Sequence, residues 1–289
     1  MGKALADIVP DASQTFDDAN NALGFDLRAL CFDGPASELE RTANAQPAIL
    51  ATSIAALRAA QADGLTVDAP ILLGHSLGEF TALVAGGAIE FGDALRLVRK
   101  RGELMQAADA SGGMAAVLGL DAGAVAKAID GTGIVVANDN APGQVVVTGP
   151  LVAMPAATER LKAAGAKRVI PLKVSGAFHS PAMRAVAPQL AEAIRATPFN
   201  ALKYRVIANV DGQVHEQASD FVELLEKQVH SPVQWVASVR RAAAEGATTF
   251  IEFGAGNVLT GLVKRILPDA RTANVSDPAT LEEALHLVR

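Results

Sequence analysis

The residues best suited to chemistry in this chain are Gly74-His75-Ser76-Leu77-Gly78, a Gly-x-Ser-x-Gly set directly behind the apolar run Pro70-Ile71-Leu72-Leu73. A serine on a tight strand-to-helix turn has its hydroxyl pushed into the open, and the next backbone N–H, that of Leu77, is aimed at a developing oxyanion. Glycine is expected on both sides, because a side chain there would collide with the neighbouring strand or helix. The serine needs a base, and the chain has five histidines: His75, His179, His215, His230 and His286. His75 lies inside the turn, where it packs beside the serine more readily than it accepts the serine's proton. His215 and His286 read as solvated, and His230 as a capping or packing residue. His179 ends Lys173-Val-Ser-Gly-Ala-Phe-His, a loop leaving a strand and entering a helix, and is the candidate base; the alternative is an ordinary surface-loop histidine.

The orienting third group is less evident. Asp109, Asp121, Asp130 and Asp139 fall between serine and histidine but sit in or beside a segment of different texture. Asp211, in Asn209-Val-Asp-Gly, reads chiefly as a turn residue. A backbone or amide carbonyl is left as the other way to orient the imidazole. Arg101 ends an Ala/Leu-rich helical stretch, and its planar fork suits a carboxylate; the competing role is a cation favoured at a helix C-terminus. Gly254-Ala-Gly-Asn-Val-Leu-Thr-Gly lacks the ending and spacing of a phosphate loop and reads as a tight strand–helix connection. No His, Cys and carboxylate cluster has metal spacing.

Helical periodicity covers 13–23, 46–61, 77–86, 91–108 and, with a proline near its start, 181–196. Short apolar runs at 71–73, 114–118, 134–137, 145–148, 168–172, 205–208 and 249–253 alternate with these helices, the pattern of an α/β protein with mostly parallel strands. Residues 113–172 read as a compact βαββαβ unit with an Asn-Asp-Asn-Ala-Pro-Gly turn. Half the residues are hydrophobic, enough for a large core, and 25 cations against 31 carboxylates give a net charge of -6, which argues against nonspecific nucleic-acid binding. Cys31 is the only cysteine, so no internal disulfide can form. No apolar run reaches the ~18 residues of a membrane span, and the start has neither a signal-peptide core nor a myristoylation serine or threonine, so a cytoplasmic, membrane-free protein is expected.

Taken together, Thr42-Ala-Asn-Ala-Gln46-Pro, Gly74-His-Ser-Leu-Gly-Glu79, Val98-Arg-Lys-Arg101-Gly, Asn140-Ala-Pro-Gly-Gln-Val-Val-Val, Gly176-Ala-Phe-His179-Ser, Ser231-Pro-Val-Gln234-Trp and Phe253-Gly-Ala-Gly-Asn-Val-Leu-Thr-Gly261 closely resemble the malonyl-CoA:acyl carrier protein transacylases of type II fatty acid synthesis, over nearly the whole chain. The resemblance implies an α/β-hydrolase-like core at 1–111 and 181–289, with a ferredoxin-like subdomain inserted at 112–180. It implies Ser76 as nucleophile, His179 as base, Leu77 N–H as an oxyanion donor and the Gln234 main-chain carbonyl as the group orienting His179. Substrate contacts are implied for Arg101, His75, Phe178, Gln46 and Met105, with Arg101 on the malonyl carboxylate and Phe178 marking malonyl over methylmalonyl. The implied partners are malonyl-CoA and acyl carrier protein, with no metal or redox cofactor, and the chain is expected to be a monomer. Carrier proteins are acidic, so Lys162, Lys167, Arg168 and Lys173 are either a docking patch or a solvated face. Two other readings stand beside this one: a serine hydrolase or thioesterase, separated by Arg101, and a non-catalytic acyltransferase-like module, separated by failure to acylate Ser76.

Members of that family open with a strand ending in Gly-Gln-Gly-Ser-Gln, whose first glutamine supplies a second oxyanion N–H, and Met1 aligns just beyond it. Either Met1 is an internal methionine taken as the start or the strand is truly lost, and the first is the expectation. Intact mass of the protein from its native cells should exceed that of residues 1–289; a mass equal to it overturns the expectation.

Overall fold

The computed structural model describes residues 1–68, 70–108, 111–174 and 176–288. Its strands are β1 (Ile71–Leu73), β2 (Gly112–Leu118), β3 (Val135–Ala141), β4 (Gln144–Pro150), β5 (Arg168–Pro171), β6 (Arg205–Ile207), β7 (Val214–His215), β8 (Thr249–Phe253) and β9 (Arg271–Val275). β1 lies parallel to β6, with Leu72 opposite Val206, and the short β7 runs antiparallel on the far side of β6. β8 and β9 form a separate parallel pair bridged by the Val258–Ile266 helix. The expected parallel strands are thus present, but the described residues divide them between two small sheets rather than one.

Most of the apolar core gathers around the Thr42–Ala62 helix, which buries Ala48, Leu50, Ala51, Ile54, Ala55, Ala56, Ala59 and Ala60. The small side chains let other helices approach closely. The closest approach is to the Phe91–Ala107 helix: a Cβ on Gly102 would stand 2.7 Å from the Thr42 carbonyl oxygen and 2.8 Å from Ala43 Cα. Pro47, inside the first of these helices, has no N–H for the Ala43 carbonyl, and Arg99 Nη1 donates to that carbonyl instead at 3.3 Å. The two helices are therefore locked in register, and Arg101 is carried onto Gln46.

From β2 to β5 the order is strand, Ala122–Ile129 helix, two strands, Met154–Ala163 helix, strand. The four strands pair antiparallel in the order β3-β4-β2-β5. This unit has a core of its own, with Val117, Val125, Ile129, Val145, Val147 and Leu161 fully or almost fully buried. The expected Asn138–Gly143 turn is shorter than its sequence suggests, because β3 runs on through Ala141 with two register shifts and only Pro142 and Gly143 turn the chain. β3 is fastened to the rest of the molecule by Asp139 N–H on the Val233 carbonyl (3.0 Å) and Val233 N–H on the Ala137 carbonyl (2.8 Å). The single helix expected over 181–196 is two pieces, a 3-10 turn Pro181–Ala185 and a helix Ala187–Ala196. Pro188, in the first turn of the second piece, has no N–H to donate back to the preceding turn, so one continuous helix is interrupted just before it.

The turn after β1 tests the expectation about its two glycines. A Cβ on Gly74 would lie 2.0 Å from both the carbonyl carbon and oxygen of Gly78, whereas a Cβ on Gly78 meets nothing within 4 Å. Only Gly74 is sterically required, because the helix backbone rests on its Cα. Gly74→Ala should cost more than about 3 kcal/mol or prevent folding, while Gly78→Ala, inside the Leu77–Ala85 helix, should leave stability within about 1 kcal/mol of the parent. Thermal unfolding of the two variants checks this.

Candidate active site

Ser76 caps the Leu77–Ala85 helix with φ 50° and ψ -103°, a left-handed conformation costly for a residue with a Cβ. Such geometry persists only when its surroundings hold it, and here they hold both of its peptide groups. Ser76 N–H donates to Asn209 Oδ1 (2.7 Å), and Ser76 C=O accepts from Gln228 Nε2 (3.0 Å). Asn209 comes two residues after β6, so the parallel β1–β6 pair delivers elbow and clamp at the same carboxyl edge. Asn209 Nδ2 also donates to the Gly74 carbonyl at 2.7 Å. Leu77 N–H stands at the first helical position, where helix geometry supplies no acceptor.

Ser76 Oγ is 2.8 Å from His179 Nε2 and 3.1 Å from Arg101 Nη2. His179 is 4 % exposed and also left-handed, with φ 55°. Its Nδ1 is 3.0 Å from the main-chain carbonyl of Gln228, which fixes the proton on Nδ1 and leaves Nε2 as the acceptor facing the serine. This corrects the expectation for Gln234. Gln234 is the cap of the Trp235–Ala244 helix, and its carbonyl is already taken by Ser238 N–H and Oγ, each at 2.9 Å. Gln228 instead ends the Asp220–Gln228 helix, where the last carbonyls have no intrahelical donor. Burial and then the neighbouring Arg101 charge push the His179 pKa down to about 3, so the imidazole is neutral and able to take a proton at neutral pH.

Arg101 is 1 % exposed and lies within the Phe91–Ala107 helix rather than at its terminus. Nη1 donates to Gln46 Oε1 (2.7 Å) and Nη2 to Gln228 Oε1 (3.0 Å), while Nε has no partner. Burial lowers its pKa to about 10, which leaves it charged at neutral pH. Gln46 Nε2 donates to Met105 Sδ at 3.4 Å, so Met105 bears on the guanidinium only through Gln46. His75 Nε2 is 2.8 Å from Asn140 Oδ1 in β3, its ring lies against Trp235, and burial holds it neutral. Phe178 is half-buried against Met114, Ala137 and Val146, the second face of the small sheet.

Sequence reasoning missed three residues here: Asn209, Gln228 and the buried Glu79. Glu79 Oε2 accepts Asn209 N–H (3.0 Å) and Gln228 Nε2–H (2.9 Å), and Oε1 has no partner. Its place three residues after Ser76, in the first turn of the helix, is the signal that could have found it. Of the proposed aspartates, Asp121 caps the Ala122–Ile129 helix and Asp211 accepts from Gln213 N–H in a turn, while Asp109 lies outside the described residues. His215 departs from its solvated reading, since it sits between Asp211 and Asp220 at 3.2 Å from each. His230 N–H donates to the Lys227 carbonyl at 3.2 Å and His286 lies near Glu282 at 3.8 Å, while the histidine on Ser76 Oγ is His179. Cys31 is buried with its thiol pushed up to about 11, so it is a poor nucleophile. At the Gly254 connection, Glu252 itself accepts the Leu259 and Thr260 N–H groups at 3.1 and 2.7 Å, leaving that helix start no anion site. Among the described residues no group of three or more metal-binding side chains occurs, and no helix is long and apolar enough to cross a membrane.

A serine activated by a neutral imidazole, beside a buried guanidinium with a spare donor, is the apparatus of acyl transfer from an ester or thioester carrying an acidic group. Residues 1–281 match the acyl transferase domain family, and the chain belongs to it. The malonyl CoA-acyl carrier protein transacylase of Bacillus subtilis is 45% identical over 296 residues, spanning 100% of this chain and 93% of the relative. The crystal structure of an acyl-carrier-protein S-malonyltransferase from Burkholderia pseudomallei superposes with a TM-score of 0.95 at 43% identity, covering 99% of this chain and 94% of that one. A malonyl-transacylase in complex with a type II polyketide acyl-carrier protein superposes with a TM-score of 0.94 at 39% identity, covering 99% and 94%.

The buried carboxyl gives the site a pH signature. Desolvation raises the Glu79 pKa from 4.5 to about 7, with its two hydrogen bonds and Arg101 opposing. A folded value above the unfolded one means that its contribution to stability is complete below about pH 4.5 and is lost as pH rises through about 7. Glu79→Gln carries no such charge. Its melting temperature relative to the parent should therefore rise between about pH 4.5 and 7 and level off above, by an amount worth at most about 3 kcal/mol; a pH-independent difference overturns this.

Proposed function

We propose that this chain is an [acyl-carrier-protein] S-malonyltransferase, moving a malonyl group from malonyl-CoA to the phosphopantetheine thiol of acyl carrier protein. The observation that carries the reading is the meeting of nucleophile, base and carboxylate receptor at one atom: Ser76 Oγ lies 2.8 Å from His179 Nε2 and 3.1 Å from Arg101 Nη2. Relatives that share this family over most of their length bear the same activity in their names, and one solved neighbour holds a carrier protein.

In the first half-reaction His179 Nε2 takes the Ser76 proton as Oγ attacks the thioester carbonyl, and Leu77 N–H receives the oxyanion. The carbon–sulfur bond breaks, and the thiolate of coenzyme A leaves with the proton from His179. In the second half-reaction His179 takes the proton of the carrier thiol, its sulfur attacks the malonyl-serine ester, and Ser76 recovers the proton. The chemistry uses only the protein's own groups. Arg101 binds the malonyl carboxylate through Nη2 and the unpartnered Nε, a fork that an uncharged acyl group does not engage. An α/β-hydrolase-like core at 1–111 and 181–289 with a ferredoxin-like insertion at 112–180 is the domain division that fits this reading, and the βαββαβ order of the small sheet supports it. Lys162, Lys167, Arg168 and Lys173 are exposed, although Lys162 is already paired with Glu159, and they are among the exposed cations of that subdomain that could meet an acidic carrier.

Incubation with malonyl-CoA should place a malonyl mass on Ser76 that carrier protein then removes; an unlabelled serine overturns the reading, and release of free malonate at the same rate without carrier favours a hydrolase. Arg101→Ala should slow malonyl loading by on the order of 10²-fold, the worth of a charge-assisted hydrogen-bond pair, while acetyl loading holds or improves. Equal malonyl preference in that variant removes the role given to Arg101.

A further inference from the structure

Three features around Glu79 stand outside the roles assigned so far. It is fully buried, yet its carboxyl touches neither Arg101 nor Ser76 directly. Only one of its oxygens is used, accepting the Asn209 N–H and the Gln228 Nε2–H, while Oε1 has no partner. The two residues it holds are those that grip Ser76 from opposite sides, Asn209 by the Ser76 N–H and Gln228 by the Ser76 C=O. Gln228 carries more, since its Oε1 receives Arg101 Nη2 and its main-chain carbonyl orients His179.

We propose that Glu79 is a positioning residue for acyl transfer: by accepting the Asn209 main-chain N–H and the Gln228 Nε2–H on one oxygen, it fixes the backbone that carries the Asn209 amide and the Gln228 amide itself, the two groups that clamp Ser76 in its left-handed conformation, the second of which also seats Arg101. The inference rests on the function proposed above and names the group on which its geometry hangs. Without this anchor the Gln228 amide is held only by Arg101 Nη2 and the Ser76 carbonyl, about a last torsion that is broad and roughly two-fold, and its orientation is less sharply fixed. A turned Gln228 presents its oxygen to the Ser76 carbonyl and its N–H groups to Arg101, reversing two attractions at once. What Glu79 supplies is an acceptor at a fixed place rather than a charge. A proton on Oε1 leaves both Oε2 bonds intact, and a glutamine at this position offers an oxygen to the same two donors.

The test measures single-turnover acylation rates, counted per Ser76 that becomes acylated, with malonyl-CoA, acetyl-CoA and p-nitrophenyl acetate. Glu79→Met fills the space without an acceptor, and all three rates should fall on the order of 10²-fold, the scale of a misplaced reacting group. Glu79→Asp keeps the charge but is one methylene short of both donors and should fall similarly, which covers a failure of Glu79→Met to fold. Glu79→Gln should recover to within about tenfold of the parent. The parallel loss on charged and uncharged acyl groups separates this role from that of Arg101, and a merely structural residue would change the melting temperature or the fraction of acylated serine without changing the rate per acylated site. Parent rates in Glu79→Met or Glu79→Asp overturn the proposal, as does a Glu79→Gln variant as slow as Glu79→Met. If the parent takes acetyl from p-nitrophenyl acetate but no malonyl from malonyl-CoA, the proposed substrate fails, and the ester rates still decide the role of Glu79.

Discussion

Arg101 and Glu79 are buried in one polar cluster without touching, and the Gln228 side chain joins them: Arg101 Nη2 donates to its Oε1, and its Nε2 donates to Glu79. Two opposite charges out of water usually collapse into a direct pair, because their desolvation is otherwise poorly offset. Here the Phe91–Ala107 helix, pressed backbone to backbone on the Thr42–Ala62 helix at Gly102, holds the guanidinium on one side of the amide. The Leu77–Ala85 helix, seated on Gly74, holds the carboxyl on the other. The amide between them is polarised from both ends, and the same Gln228 also touches Ser76 and His179. The architecture of the site follows from the need to keep that one side chain satisfied.

The place of a triad aspartate is taken by the end of a helix. The Gln228 carbonyl is the last of the Asp220–Gln228 helix, where the partial negative charge of the macrodipole gathers. That fixes the His179 tautomer as an aspartate would, without a full negative charge. The difference matters for protonation: burial and the adjacent Arg101 already push the imidazole strongly toward its neutral form, and a carbonyl offsets this less than a carboxylate would. Under the proposed function, a proton taken from a thiol or serine is readily given back, which suits a group that would hand a proton between Ser76 and two successive thiols.

Much of this was legible in the sequence where a residue type announces its role. The Gly-x-Ser-x-Gly turn points to Ser76 and the shortage of histidines to His179, whereas Arg101, one of several charges on its helix, stands out only through the resemblance to the transacylases. The short apolar runs mark seven of the nine strands found among the described residues, because period and turn residues are local properties. What could not be read depends on a backbone group or on distant pairing. A main-chain carbonyl has no side-chain signature, so the residue orienting His179 was placed at Gln234, six positions along the chain from Gln228. Asn209 and Gln228 reach Ser76 across 133 and 152 residues, and nothing local distinguishes them from other amides. The elbow's glycines look equivalent in sequence, yet only Gly74 meets a backbone, since the helix leaves the turn on one side.

Holding Arg101 with neutral amides has a consequence for selectivity under the proposed function. Had a carboxylate paired directly with the guanidinium, an incoming malonyl carboxylate would have to displace it and leave a buried anion unpaired, a loss of several kcal/mol. Gln46 and Gln228 instead satisfy two N–H groups without neutralising the charge, and Nε is left over. An arriving carboxylate then meets a full positive charge in a site of low dielectric and needs to displace only the contact between Nη2 and Ser76 Oγ. That contact is given up in any case when Oγ becomes the ester oxygen. Binding of the acid group and formation of the acyl-serine therefore draw on the same rearrangement, and an acyl group without a carboxylate leaves the guanidinium with a lost contact and no replacement.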